Sequence, residues 1–97
     1  MSLNRYAAKR DISEREIVSA LQQCGFSVER LDTPVDLVCG FRGRTWLVEC
    51  KTEGAKLNEN QKKFVQRWRG NEIVVLRSAQ DAIDFAVQVA TEMERAA

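Results

Sequence analysis

The chain has no histidine, a single proline and only five glycines in 97 residues. Without imidazole, histidine acid–base catalysis is excluded, and a zinc site would have to draw on scattered thiols and carboxylates. With so little proline and glycine, and no Pro/Gly/Ser-rich stretch, nothing marks a linker, so residues 1–97 are expected to form one domain. No apolar run approaches the length of a membrane span and the amino-terminal segment lacks an apolar signal region, so a cytoplasmic protein is expected. Cys24, Cys39 and Cys50 are odd in number, form no C-x-x-C pair and sit among apolar neighbours. That is the pattern of reduced core thiols. Neither sign of charge dominates: the formal net charge of +1 excludes a histone-like, tail-driven nucleic-acid binder. The distribution is uneven, since residues 1–71 carry 13 Lys/Arg against 9 Asp/Glu and residues 72–97 carry 2 against 5. The first part is basic enough to meet a nucleic acid.

What is present is an ordinary globular composition, 44% apolar and 30% charged, with enough hydrophobic periodicity to read the elements. Ser13 followed by Glu16 reads as a capping box, and Ile17, Val18, Leu21 and Cys24 recur at helical spacing, which predicts a helix from about Glu14 to Cys24 stopped by Gly25. Residues 1–10, with Arg5, Lys9 and Arg10, read as a flexible basic arm. Phe26–Arg30, Val35–Cys39 and Arg44–Lys51 read as strands, the last two joined by a hairpin at Gly40-Phe41-Arg42-Gly43. Asn58 and Gln61 cap a helix from Glu59 to about Arg69, with Phe64, Val65 and Trp68 on one side and Gly70 as its stop. Glu72–Leu76, with the run Ile73-Val74-Val75-Leu76, reads as a buried strand, and Ser78 with Asp81 opens a last helix over about Ala79–Glu94. Its apolar residues span about half its circumference, wider than the ~100° stripe of a one-sided surface helix. One arc can face the sheet and the other a second copy, or the helix is simply well buried. The order is α-β-β-β-α-β-α.

Three polar residues stand out against this apolar background. Asp36 falls in the second strand and Glu49 in the third, where an ionised carboxylate is costly without a partner. Lys51 lies two residues beyond Glu49, on the same strand face, while Cys50 turns away. If the two strands are hairpin partners, the three groups converge. Two carboxylates can hold a hard divalent ion, and a nearby cation can offset charge growing on a phosphoryl group, which is the set phosphodiester hydrolysis needs. The bland alternative is a structural ion pair of Lys51 with Asp36 or Glu49.

The pattern of Asp36, twelve intervening residues, then Glu49-Cys50-Lys51, with one helix before it and helix, strand and helix after it, resembles the PD-(D/E)xK nuclease superfamily. The runs SEREIVSALQQCGFSVER, VDLVCG and LVECK are similar to those of archaeal Holliday-junction resolvases, while KLNENQKKFVQRWRG resembles the virus-type replication-repair (VRR-NUC) nuclease domains and related phage proteins. The resemblance implies an α/β, restriction-endonuclease-like αβββαβ core with an additional C-terminal helix. It implies Asp36 and Glu49 as metal ligands, with the Cys50 carbonyl as a further one, Lys51 as the catalytic lysine, and magnesium or manganese as cofactor. It also implies an acidic residue on the first helix, for which Glu14 and Glu16 compete. Glu14 matches the resolvase pattern and lies over the core-facing stripe, whereas Glu16 has a capping role.

The activity so implied is DNA endonuclease cleavage leaving a 5′-phosphate, selective for branched or junction DNA, in recombination, repair or phage DNA processing. The loop TEGAKLNEN departs from the resolvase pattern, where a basic loop follows the catalytic lysine. Candidate DNA contacts are Lys9 and Arg10 on the arm, Arg42 and Arg44 at the hairpin, and Gln61 and Lys62 on the second helix. Gln61 reads equally as a capping residue, and Lys62, Lys63, Arg67 and Arg69 read first as a solvated helix face and second as DNA contacts. A homodimer through the last helix is expected. Two other functions fit the same residues: a nuclease fold retained only to hold DNA, and a subunit of a larger DNA-processing assembly.

Overall fold

The structure, a computed structural model, describes residues 2–52 and 54–96, with side chains described from Ser13 onward. Its elements are α1 (Ser2–Gln23), β1 (Ser27–Arg30), β2 (Leu37–Phe41), β3 (Arg44–Cys50), α2 (Glu59–Arg67), β4 (Val74–Leu76) and α3 (Ala79–Ala96). They form an α/β fold around one four-stranded mixed sheet of order β1-β2-β3-β4. β1–β2 and β2–β3 are antiparallel, whereas β3–β4 is parallel. A parallel neighbour needs a crossover connection, and the stretch carrying α2 supplies it.

Alternation along β2 and β3 sorts their residues between two unlike sheet faces. Leu37, Cys39, Val48 and Cys50 point to the face covered by α1 and α3, where they join Ile17, Leu21, Phe26, Ala82, Ala86 and Val89 in the main core. At the hairpin end this core becomes aromatic. Phe26 stacks on Phe41 with ring centroids 4.6 Å apart and meets Trp46 and Phe85 at 5.7 and 5.6 Å. Gly25 turns the chain into this cluster with φ +95°, and a Cβ there would meet the Phe41 ring at 3.3 Å, so glycine is needed for both conformation and room. The opposite face carries Glu49 and is met by α2.

Several element boundaries differ from those expected. α1 begins at Ser2, so Ser13 stands inside it and caps nothing, and the segment read as an arm has helical backbone. Asp36 immediately precedes β2 instead of lying within it. α2 ends at Arg67 with Trp68 as its cap, before Gly70 is reached. Gly70 has a different use: the Trp68 indole folds over it, and a Cβ at 70 would lie 2.5–2.9 Å from three ring atoms. Of the three apolar residues of this segment only Phe64 is buried; Val65 and Trp68 are each 40% exposed. α3 does divide its apolar residues, with Ala82, Ala86 and Val89 buried while Ile83 and Val87 are 40% and 60% exposed. Among the described residues no helix is long and apolar enough to cross a membrane.

Candidate active site

The β2–β3 register pairs Leu37 with Val48, so the next residues outward, Asp36 and Glu49, face each other where the ladder ends. There the carboxylates take over from the main-chain carbonyls as acceptors. The Asp36 amide donates to Glu49 Oε1 at 3.2 Å, and the Cys50 amide donates to Asp36 Oδ2 at 2.8 Å. Lys51 lies just beyond β3 but keeps its line, because its amide donates to the Leu76 carbonyl at 3.0 Å. Its side chain returns to Glu49, Nζ to Oε2 3.2 Å. From the other element, Gln61 Nε2 donates to the same Oε2. The convergence expected of Asp36, Glu49 and Lys51 is therefore present.

Glu49 is fully buried. Burial, then the nearby Asp36 charge and a side-chain hydrogen bond with Asp36, push its carboxyl above the ordinary carboxylate range, with Lys51 pulling the other way. Two acids held this close repel each other, and a bound cation is one way to relieve that repulsion. On the core side of the strand end, Glu14 reaches in from α1 so that its carboxylate, that of Asp36 and the Cys50 thiol have donor atoms within 4.8 Å of one another. Glu14, one-fifth exposed, also pairs with Arg30 Nε at 3.4 Å. Glu16 is exposed on the outer side of α1, so the structure brings Glu14 and not Glu16 to the acids. The Cys50 thiol is pushed well above its usual range, by burial first and then by the charges of Asp36, Glu14 and Glu49. The carboxylates of Asp36, Glu49 and Glu14 offer oxygen donors, the preference of magnesium and manganese. The Cys50 amide donates to Asp36, and its thiol lies within 4.8 Å of the Glu14 and Asp36 carboxylates.

Asp36 and Glu49 line one side of an open cleft of about 510 Å³, with Pro34, Gln61, Phe64 and Arg67 among the other walls. Arg67 lies over the Phe64 ring, its guanidinium carbon 5.4 Å from the centroid, and gives the cleft a positive rim. One participant carried no sequence signal of its own: Arg30 becomes the partner of Glu14 only because β1 ends beside α1. Arg67, read from the sequence as part of a basic helix face, lines the cleft. The other expected DNA contacts lie elsewhere. Arg42 and Arg44 flank the tip of the β2–β3 hairpin, roughly five residues or ~17 Å along the strands from the acids. Arg42 covers Phe41 there, its guanidinium carbon 5.0 Å from the ring centroid. Lys62 is on the exposed side of α2, 3.5 Å from Glu59. The side chains of Lys9 and Arg10 lie outside the described residues.

No family model, no curated protein and no solved structure matches the chain.

Proposed function

We propose that the chain is a divalent-metal-dependent endodeoxyribonuclease of the PD-(D/E)xK type, built on a restriction-endonuclease-like αβββαβ core with α3 appended. One observation carries this reading: Asp36, Glu49 and Lys51 meet where the β2–β3 ladder ends, and Asp36 and Glu49 line an open cleft there. Asp36 and Glu49 hold Mg²⁺ or Mn²⁺, with Glu14 beside them, and a bound ion of this kind supplies Lewis acidity at a phosphoryl oxygen. Lys51 Nζ sets a positive charge next to that position, and Arg67 at the rim attracts the DNA backbone. Two copies joined through the exposed Ile83–Val87 arc of α3 would set paired sites on branched or duplex DNA.

The test is nicking of supercoiled plasmid and cutting of labelled linear, flapped and four-way DNAs in Mg²⁺ and in Mn²⁺. Cleavage by the native chain is expected, with its loss in EDTA and a fall of at least a hundredfold in Glu49→Ala and Lys51→Ala. Native protein inactive on every substrate, or Glu49→Ala as active as native, would refute the reading.

A second reading has its own support, because Glu49 is wholly enclosed, with the Asp36 amide and the Gln61 side chain donating to its two oxygens. In it the same fold holds DNA without cutting it, alone or within a larger assembly. DNA binding and Mn²⁺ binding with no nicking on any substrate would favour this second function.

A further inference from the structure

Glu49 is the one buried charged residue among those described, so the use of its lone pairs can be counted. A carboxylate offers about four lone-pair sites on its two oxygens. Oε2 accepts from Gln61 Nε2 and meets the Lys51 ammonium at 3.2 Å. Oε1 accepts from the Asp36 amide at 3.2 Å and so faces Asp36, whose side chain also shares a hydrogen bond with the Glu49 carboxyl.

The orientation of the Gln61 amide is determined by its other end. The Asn58 main-chain N–H can only donate, and it meets Gln61 Oε1 at 3.0 Å, while the Gln61 main-chain N–H donates to Asn58 Oδ1 at 2.9 Å. The oxygen is thus committed to the head of α2 and the nitrogen must face Glu49. A capping box normally ends at the helix it caps. Here its glutamine spends the spare half of its amide on a buried carboxylate from β3.

We infer that Gln61 is a positioning residue for the cation site: with Lys51 it occupies Oε2, so that Oε1, together with Asp36, is what a divalent ion is offered. It is neither an ion ligand nor a DNA contact. This rests on the metal-dependent function proposed above. Partners that orient a ligating carboxylate are typically worth ten- to a hundredfold in ion affinity.

The experiment measures Mn²⁺ binding by calorimetry without DNA, for the native chain, Gln61→Met, Gln61→Ala and Ser78→Ala. Met keeps the length of the side chain but donates nothing. Ser78, whose Oγ accepts from the Asp81 amide at 3.1 Å at the head of α3, is a capping control remote from α2. Both Gln61 variants should bind Mn²⁺ about tenfold or more weakly than native, with Ser78→Ala less stable but unchanged in affinity. Hydrogen exchange at the Asn58 amide should stay unchanged when the native chain is saturated with Mg²⁺ and speed up in Gln61→Met. Native affinity in Gln61→Met, or faster Asn58 exchange on Mg²⁺ binding, would overturn the inference alone, the second because a glutamine that moves to ligate must release that amide. No Mn²⁺ binding by the native chain would overturn the inference together with the metal-dependent function.

Discussion

Glu49 illustrates how one side chain can serve a site at some expense to the fold. Its carboxylate is enclosed beside a second acid, and desolvation and repulsion both act against the charged form. Glu49→Gln keeps the shape and removes both costs while weakening the contact with Lys51. In EDTA its melting temperature should equal or exceed that of the native chain, and under the proposed function its Mg²⁺-dependent cleavage should be lost. A drop of several degrees would mark the Glu49–Lys51 pair as structural. The three thiols should also separate cleanly. Burial pushes Cys39 up to about 11 and Cys50 higher still, whereas Cys24 is only half-buried. Alkylation of the native protein at neutral pH, read by peptide mass, should therefore modify Cys24 first, with Cys39 and Cys50 reacting only on unfolding. Asp36, Glu49, Lys51 and Gln61 were all visible in the sequence, because polar residues interrupting apolar strands and a capping pair are local signals. Arg30 was not, because what singles it out is a neighbour sixteen positions earlier, Glu14.

At the scale of elements, α2 depends most on single residues. It is nine residues long, shorter than a helix that stands unaided in water, and it is secured at one end by the Asn58–Gln61 box and at the other by the Trp68 indole folded over Gly70. The indole N–H donates to the Asn71 carbonyl at 2.8 Å, and the Asn71 side chain reaches the Thr45 carbonyl of β3 at 3.3 Å. Gly70→Ala should expel the ring, destabilise the protein by about 1–2 kcal/mol and shift part of the tryptophan emission to the red. An unchanged spectrum would mean the indole tolerates a methyl group beneath it. The strands and helices were legible because period-two and helical spacings are repeated along each one. Their ends were less so. Ser13-x-x-Glu16 has the composition of a helix start yet lies within α1, and Gly70 has the composition of a helix stop yet serves a side-chain approach. A capping motif reports which hydrogen bonds are possible, and whether they form depends on what the preceding backbone does.

Across the whole molecule, the two ends of the β2–β3 hairpin do different work. The tip packs into the ring cluster of Phe26, Phe41, Trp46 and Phe85, and the open end carries the acids. Phe26→Ala should cost about 3–5 kcal/mol in urea unfolding. Where it remains folded, its Mn²⁺ affinity should match that of the native chain, since the deleted ring lies some 15 Å or more from Glu49 along the strands. If a second copy covers the outer arc of α3, Val87→Glu should leave the melting temperature within about 2 °C and convert a dimer to a monomer in light scattering. The amino-acid sequence alone determined the order of seven elements and the class of the fold and marked out Asp36, Glu49 and Lys51 as polar interruptions, because each is written in spacings of a few residues. Only the tertiary structure decided which of them meet. Glu14 was chosen over Glu16 by the way α1 lies on the sheet, Gln61 was directed to Glu49 by the crossover, and Arg42 and Arg44 were sent to the far end by the hairpin. Those outcomes depend on packing between segments distant in the chain, and burial and distance are properties of the folded whole.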